Sequence, residues 1–277
     1  MPTVADVTAA VERLWPVAGA EPWDAVGLIA GNPADEVSSI HLAVDAVVDT
    51  VDEAIELGAS LLLVHHPLLL RGVTTIAGDR YKGAVLTRLI RANCALLAAH
   101  TNADVVETGT SAILANALGL TDQRPIVASA PTTPGTPATR GIGRIGVLPE
   151  PTTLGRLARR LGELLPATAT GVRVSGEFDR EVRTVALCAG AGDAYLSEPD
   201  VLSADVYITS DLRHHPASEA SENARVADGP ALIDVSHWAS EWLWLDAAAS
   251  QLRRAHPDLE VLVSDLRTNP WDFAILQ

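Results

Sequence analysis

Leu61-Leu62-Leu63-Val64 is apolar at every position, and this run constrains the fold more than any other feature of the chain. An alternating strand keeps one face in water, whereas an uninterrupted apolar run must be covered on both faces, as in a parallel sheet with helices above and below. The residues before it, Val51 to Leu57, have helical spacing and lead into the turn residues Gly58-Ala59-Ser60; the residues after it are His65-His66-Pro67. The two histidines therefore stand at the carboxyl end of a buried strand, the edge where open α/β sheets place their ligand sites.

The same alternation runs through the chain. Val4 to Leu14 has helical spacing, with Asp6 placed to complement the helix dipole. Strands are predicted over 40–47, 61–65 and 94–99, with helices over 50–57, 83–91 and 111–118. Residues 121–140 break the pattern, carrying Pro125, Pro131, Pro134 and Pro137 among Ser, Thr and Ala, which reads as a linker or surface loop. Beyond it come strands over 142–148, 172–174, 182–187, 205–209, 231–235 and 259–263, and helices over 154–165, 217–224 and 238–252. The expected organisation is an amino-terminal α/β half over 1–120, the Pro-rich connection over 121–140, and a carboxyl-terminal α/β half over 141–277 whose last helix and strand can pack back on the first half. The halves echo each other. Leu57-Gly58-Ala59-Ser60 leads through a strand to His65-His66-Pro67, and Leu202-Ser203-Ala204-Asp205 leads through another to His214-His215-Pro216.

Composition narrows the function. With 277 residues, 48% of them apolar, the chain can bury a large core. A net charge of −15 argues against nucleic acid as a partner, because phosphate neutralisation needs dense Lys and Arg. The amino terminus carries no cationic leader with an apolar core, and no run approaches the ~18 apolar residues of a membrane span, so a cytoplasmic protein is expected. Cys94 and Cys188 sit in apolar stretches, as small buried side chains rather than a disulfide or thiolate ligands.

Three apolar strands end in histidine. Besides His65 and His66, Ala95 to Ala99 ends in His100-Thr101-Asn102-Ala103-Asp104, and Ala231 to Val235 ends in Ser236-His237, with Glu241 four residues on. On a helix starting near 237, His237 and Glu241 share a face, about 5–6 Å between Cβ atoms. Successive residues of a regular strand face opposite ways, so the strand must end at His65-His66; Pro67, which has no N–H to continue a ladder, ends it and lets the two imidazoles diverge. Imidazole and carboxylate donors without thiolate suit Zn, Fe, Mn, Co or Ni. Their number exceeds the needs of one tetrahedral ion and points to two, with Glu241 able to offer one oxygen to each. His100 is either a ligand or a group that orients Asp104 or a bound water. Gly190-Ala191-Gly192 can cradle an anion or simply turn the chain. His214 and His215 can line the same site or begin a surface helix. Trp238, Trp242 and Trp244 read as a core stripe.

At these residues the chain resembles the Nif-three-like family of dinuclear-metal proteins, also called type 2 homologues of GTP cyclohydrolase 1. Trp23-Asp24-Ala25-Val26-Gly27-Leu28 is similar to its W-D-N-V-G-L, His65-His66-Pro67 to its H-H-P, and His100-Thr101-Asn102-Ala103-Asp104 to its H-T-N-x-D. Gly141-Ile142-Gly143-Arg144-Ile145-Gly146 is similar to its G-x-G-R-x-G, Thr209-Ser210-Asp211 to its T-G-D, and Ser236 to Glu241 to its G-H-x-x-S-E. Ala25, Ser210 and Ser236 depart from the pattern, none of them at a ligand position. The resemblance implies two similar three-layer α/β halves with mostly parallel sheets and a metal site in the cleft between them. It implies two divalent ions per subunit, His65 and His237 holding one, His66 and Asp104 the other, and Glu241 spanning both. It also implies a toroidal homo-hexamer.

The expected function is that of a metal-dependent hydrolase, with Glu241 and His100 as its catalytic residues and a purine nucleotide, by the family label GTP opened at C8, as substrate. Arg144 and Arg213 are the candidates for holding a triphosphate in so acidic a chain. The competing expectation is a non-enzymatic, metal-holding hexameric scaffold or regulatory binding protein.

Overall fold

The computed structural model describes residues 1–129 and 139–275, so most of the Pro-rich stretch, including Pro131, Pro134 and Pro137, lies outside the described residues. In chain order the elements are α1 (Val4–Leu14), β1 (Gly27–Ala30), β2 (Ser39–Ala43), α2 (Val48–Glu56), β3 (Leu61–Val64), α3 (Tyr81–Arg91), β4 (Ala95–Ala98), α4 (Thr101–Asp104), α5 (Thr110–Ala117), β5 (Thr121–Arg124) and β6 (Val127–Ala128). They continue as β7 (Gly141–Ile142), β8 (Arg144–Thr153), α6 (Leu154–Leu164), β9 (Arg173–Ser175), β10 (Glu181–Ala191), α7 (Pro199–Leu202), β11 (Val206–Ser210), α8 (His214–Ala227), β12 (Ala231–Val235), α9 (His237–Trp242), α10 (Trp244–Ala255) and β13 (Glu260–Val263).

Two compact units result, one of residues 1–103 with 245–268, the other of 104–244 with 269–277. In the first unit the sheet runs β1-β4-β3-β2-β13. β13, β2, β3 and β4 are parallel and β1 closes one edge antiparallel. Every residue of β2, β3 and β4 is buried; β3 and β4 are apolar throughout, while β2 also buries Ser39 and His41, and full burial of each large apolar side chain stabilises by about 1.5–3 kcal/mol. Val51, Ala54, Val85, Leu86 and Leu89 of the crossover helices α2 and α3 pack against Leu62, Val64 and Leu96 in one core. At the start of α1, the Thr3 hydroxyl accepts from the Asp6 N–H while the Asp6 carboxylate accepts from the Thr3 N–H, a reciprocal cap on a helix whose Val4, Val7, Ala10 and Val11 are buried.

In the second unit the sheet runs β5-β8-β10-β11-β12-β9. Its centre, β10-β11-β12, is parallel, and β5, β8 and β9 flank it antiparallel. Thr121–Arg124 and Val127–Ala128, at the start of the Pro-rich stretch, are strands here, β5 along β8 and β6 along β7. The stretch 238–252, continuous in its apolar spacing, divides near Leu243 into α9 and α10. Trp238 and Trp244 are buried, as a core stripe should be. Cys94 and Cys188 are buried free thiols, and no helix among the described residues is long and apolar enough to cross a membrane.

Candidate metal centre

Parallel strands end at a common edge, and in the first unit that edge gathers polar side chains from three of them. Backbone pairing continues one step past β3: the His65 N–H donates to Ala43 O at 3.1 Å and the His66 N–H to Val44 O at 2.8 Å, after which Pro67 has no N–H to offer. His100 follows β4 by two residues, and Asp45 follows β2 by two. The rings of His65 and His66 are 5.1 Å apart, and that of His100 lies 5.1 Å from His65 and 5.4 Å from His66. These three residues each offer a ligand atom within 4.8 Å of the others, a group that could hold a metal ion.

Each ring is oriented by its Nδ1. That of His65 donates to the carbonyl of Ala99 at 2.9 Å, that of His66 to Asp45 at 2.7 Å, and that of His100 to Asp24 at 3.0 Å. A carbonyl or carboxylate oxygen only accepts, so the Nδ1 positions carry hydrogen and Nε2 is the nitrogen with the ligand lone pair. The orienting carboxylates are held in turn, Asp45 by the Thr268 hydroxyl and Asp24 by the Thr101 hydroxyl and N–H. Burial alone would raise the Asp24 pKa, but the hydrogen bonds from Thr101 and His100 outweigh it and hold the carboxyl below its ordinary range.

The second unit builds its edge from β10, β11 and β12. After β11, Asp211 takes a left-handed conformation (φ 58°), which an aspartate tolerates, and accepts from His237 Nδ1 at 2.7 Å. His237 opens α9, whose cap is the Ser236 hydroxyl accepting from the Ala239 N–H. One turn later Glu241, only 3% exposed, sets its Oε1 3.1 Å from His237 Nε2. Two donors each bound at about 2.0–2.2 Å to one ion stand about 3–3.5 Å apart, so this pair has the separation of two ligands on a common metal. Burial disfavours charge on His237, yet the Glu241 and Asp211 carboxylates prevail and hold its pKa well above the usual value. Asp104 accepts a hydrogen bond from the Thr110 hydroxyl. It and Glu241 both face Cys188, whose thiol is pushed to about 12 by burial first and then by these two charges.

Gly190, at φ 73° in β10, explains how this corner stays open. A Cβ there would stand 2.3 Å from Glu241 Oε1 and 3.3 Å from His237 Nε2, so only glycine leaves room for the carboxylate. Its N–H donates to the Ser240 hydroxyl and its carbonyl accepts from the Thr209 hydroxyl; Gly190 and Ala191 are the irregular end of β10, whose pairing with β11 shifts register between Leu187 and Ala191.

Other sequence candidates are placed elsewhere. His214 and His215 meet edge to face at 5.2 Å on the exposed first turn of α8, because the insert Ser210-Asp211-Leu212-Arg213 carries the chain past the strand end. Arg144 is 3% exposed and donates to the carbonyls of Gly141, Gly143 and Val106; Arg213 donates to Asp193. Arg144 is committed to buried backbone acceptors, and this corrects its assignment as a triphosphate contact; Arg213 stays exposed in its ion pair with Asp193. The orienting carboxylate Asp45 was not marked by the sequence reasoning, although its position just beyond a buried strand followed the same rule that marked His65.

Residues 2–270 match the profile of the family described as Duf34/NIF3 (NGG1p interacting factor 3). A Streptomyces coelicolor protein named GTP cyclohydrolase 1 type 2 homolog is 46% identical over 275 residues, covering 98% of this chain and 94% of that one. A Mycobacterium tuberculosis protein of the same name is 34% identical, covering 97% and 96%. Among solved structures, a Bacillus cereus protein related to NIF3 superposes with a TM-score of 0.88 at 23% identity, covering 99% of each chain. A Staphylococcus aureus protein superposes with a TM-score of 0.87 at 25% identity, covering 99% and 100%.

Proposed function

The chain belongs to the Duf34/NIF3 family, and from that premise we propose that it is a dinuclear metal protein acting as a hydrolase on a purine nucleotide. The observation that carries the proposal is the common orientation of three clustered imidazoles: His65, His66 and His100 each anchor Nδ1 on an oxygen acceptor and leave the Nε2 lone pair for a metal or a proton. The donor set of imidazole and carboxylate fits a divalent transition metal, and the Glu241 and His237 separation of 3.1 Å fits a shared ion. In this reading His65 and His237 would hold one ion, His66 and Asp104 the other, and Glu241 would serve both. When bound, such ions supply Lewis acidity and a water that deprotonates near neutral pH. The chain's own contribution is to fix the imidazoles through Asp45, Asp24, Asp211 and the Ala99 carbonyl. His100, held by Asp24, serves as the group that takes and returns a proton. Assembly as a homo-hexamer is part of the same proposal.

One observation favours a second reading, a metal-holding scaffold without turnover: the two arginines best suited to a triphosphate already donate within the protein. Metal-loaded protein assayed against a panel of purine nucleotides and phosphoesters decides between them. Turnover that disappears in Glu241→Ala is expected of the hydrolase; full metal occupancy with no turnover across the panel selects the scaffold. Metal retention of about one ion or less per chain, unchanged by His65→Ala, overturns the dinuclear centre.

A further inference from the structure

Trp23 is 59% exposed, an unusual position for a side chain that contributes so much when buried. It is nevertheless rigidly mounted. Glu21-Pro22-Trp23-Asp24 forms a tight turn in which the Asp24 N–H donates to Glu21 O at 3.0 Å, and Pro22 fixes φ at its second position. The turn is pinned at both ends to the segment after β4: the Glu21 N–H donates to the Thr101 hydroxyl at 2.9 Å, and Asp24 accepts from the Thr101 N–H and His100 Nδ1 at 3.0 Å each. The Asp24 side chain is wholly buried. The indole therefore projects from a preorganised base whose polar groups are satisfied. Its ring stands 5.9 Å from that of His100 at 73°, an edge contact that cannot cover both faces of the indole, and His100 in turn is in contact with His65 and His66.

We propose that Trp23 is the stacking platform for a planar aromatic ring of the ligand, setting specificity beside the histidine group. A rigid, exposed indole binds a flat ring without an ordering cost at the moment of binding, and every nucleobase has a π-face to offer it. Under the nucleotide reading above, on which this identification of the ring rests, the ring is the purine base. Trp23 touches the ligand without ligating metal, so its loss should leave metal content intact.

The test measures, by titration calorimetry on the metal-loaded full chain, the affinities of GTP and ribose 5-phosphate, and of benzoate and cyclohexanecarboxylate, a flat and a non-planar ring on the same carboxylate. In Trp23→Ala, GTP affinity is expected to fall by about tenfold or more with ribose 5-phosphate and metal content unchanged, and Trp23→Phe to recover most of it. The wild-type preference for benzoate over cyclohexanecarboxylate should vanish in Trp23→Ala. A benzoate preference that depends on Trp23, without GTP binding, keeps the platform and removes the nucleotide reading. The platform is overturned if Trp23→Ala leaves both ring preferences unchanged, if GTP and ribose 5-phosphate weaken equally, or if no aromatic probe binds. A changed sedimentation coefficient with unchanged ring preference overturns it too, assigning Trp23 to a contact between copies.

Discussion

In the first unit the carboxyl edge of the parallel strands carries nitrogen donors, His65, His66 and His100, each oriented by an acceptor behind it. In the second unit the equivalent edge carries one imidazole, His237, with Glu241 beside it and Asp104 also facing Cys188. The topology that creates the edge is shared, three adjacent parallel strands in β4-β3-β2 and in β10-β11-β12. The donors are not. Backbone geometry thus decides where ligands collect, and side-chain choice decides what they bind: nitrogen-rich in one unit, charge-rich in the other.

The largest test of this division removes charge from the second unit. Glu241→Ala should weaken retention of Zn or Mn by more than about 100-fold in competition with a chromophoric chelator, beyond the range for orienting residues, whereas His100→Ala should cost less because His65 and His66 remain. Comparable losses from both would erase the contrast. Next come the orienting carboxylates. Asp45→Asn and Asp211→Asn should each lower metal affinity by about 10–100-fold with the circular dichroism spectrum unchanged. Asp211→Asn should cost more, because the imidazole it orients, His237, is the one paired with Glu241. Gly190→Ala asks whether the second unit needs its empty corner. A left-handed alanine costs about 1–2 kcal/mol, seen as a lowered Tm, and its Cβ against Glu241 should reduce metal retention as well.

The smallest effect is read at the thiols, one per unit. Burial pushes the Cys94 thiol up to about 11, and burial with the nearby carboxylates pushes Cys188 up to about 12. Raised thiol pKa values mean protonated, unreactive sulfur at pH 8. Native protein should resist a disulfide reagent there, both thiols should react after denaturation, and Cys94 should respond before Cys188 as pH rises. Rapid native labelling at pH 8 would contradict the burial of both.

Local sequence carried much of this. Unbroken apolar runs located β3 and β4, mostly apolar ones located β2 and β12, and the rule that ligands collect beyond parallel strands marked His65, His100 and His237. What escaped was non-local. β1, a short half-buried strand, has no run long enough to announce itself. Nothing in Glu260 to Val263 says that it pairs with Ser39 to Ala43. Asp24 and His100 are 76 positions apart, and their pairing exists only once the chain has folded. Arg144 misled for the same reason: a guanidinium reads as available charge until its acceptors are seen.

The pairing of β13 with β2 has a temporal consequence. During synthesis β2, β3 and β4 emerge long before residues 260–263, so the nascent first unit carries β2, a strand buried at every residue in the folded protein, with an open edge while most of the second unit is being made. Such an edge is a template for wrong pairing, and a partner so distant in sequence closes it slowly. Thr268, which holds the Asp45 carboxylate behind His66, arrives later still. The histidine edge is therefore encoded early and matures last, which makes the last stretch of translation the interval in which this chain most needs protection from aggregation.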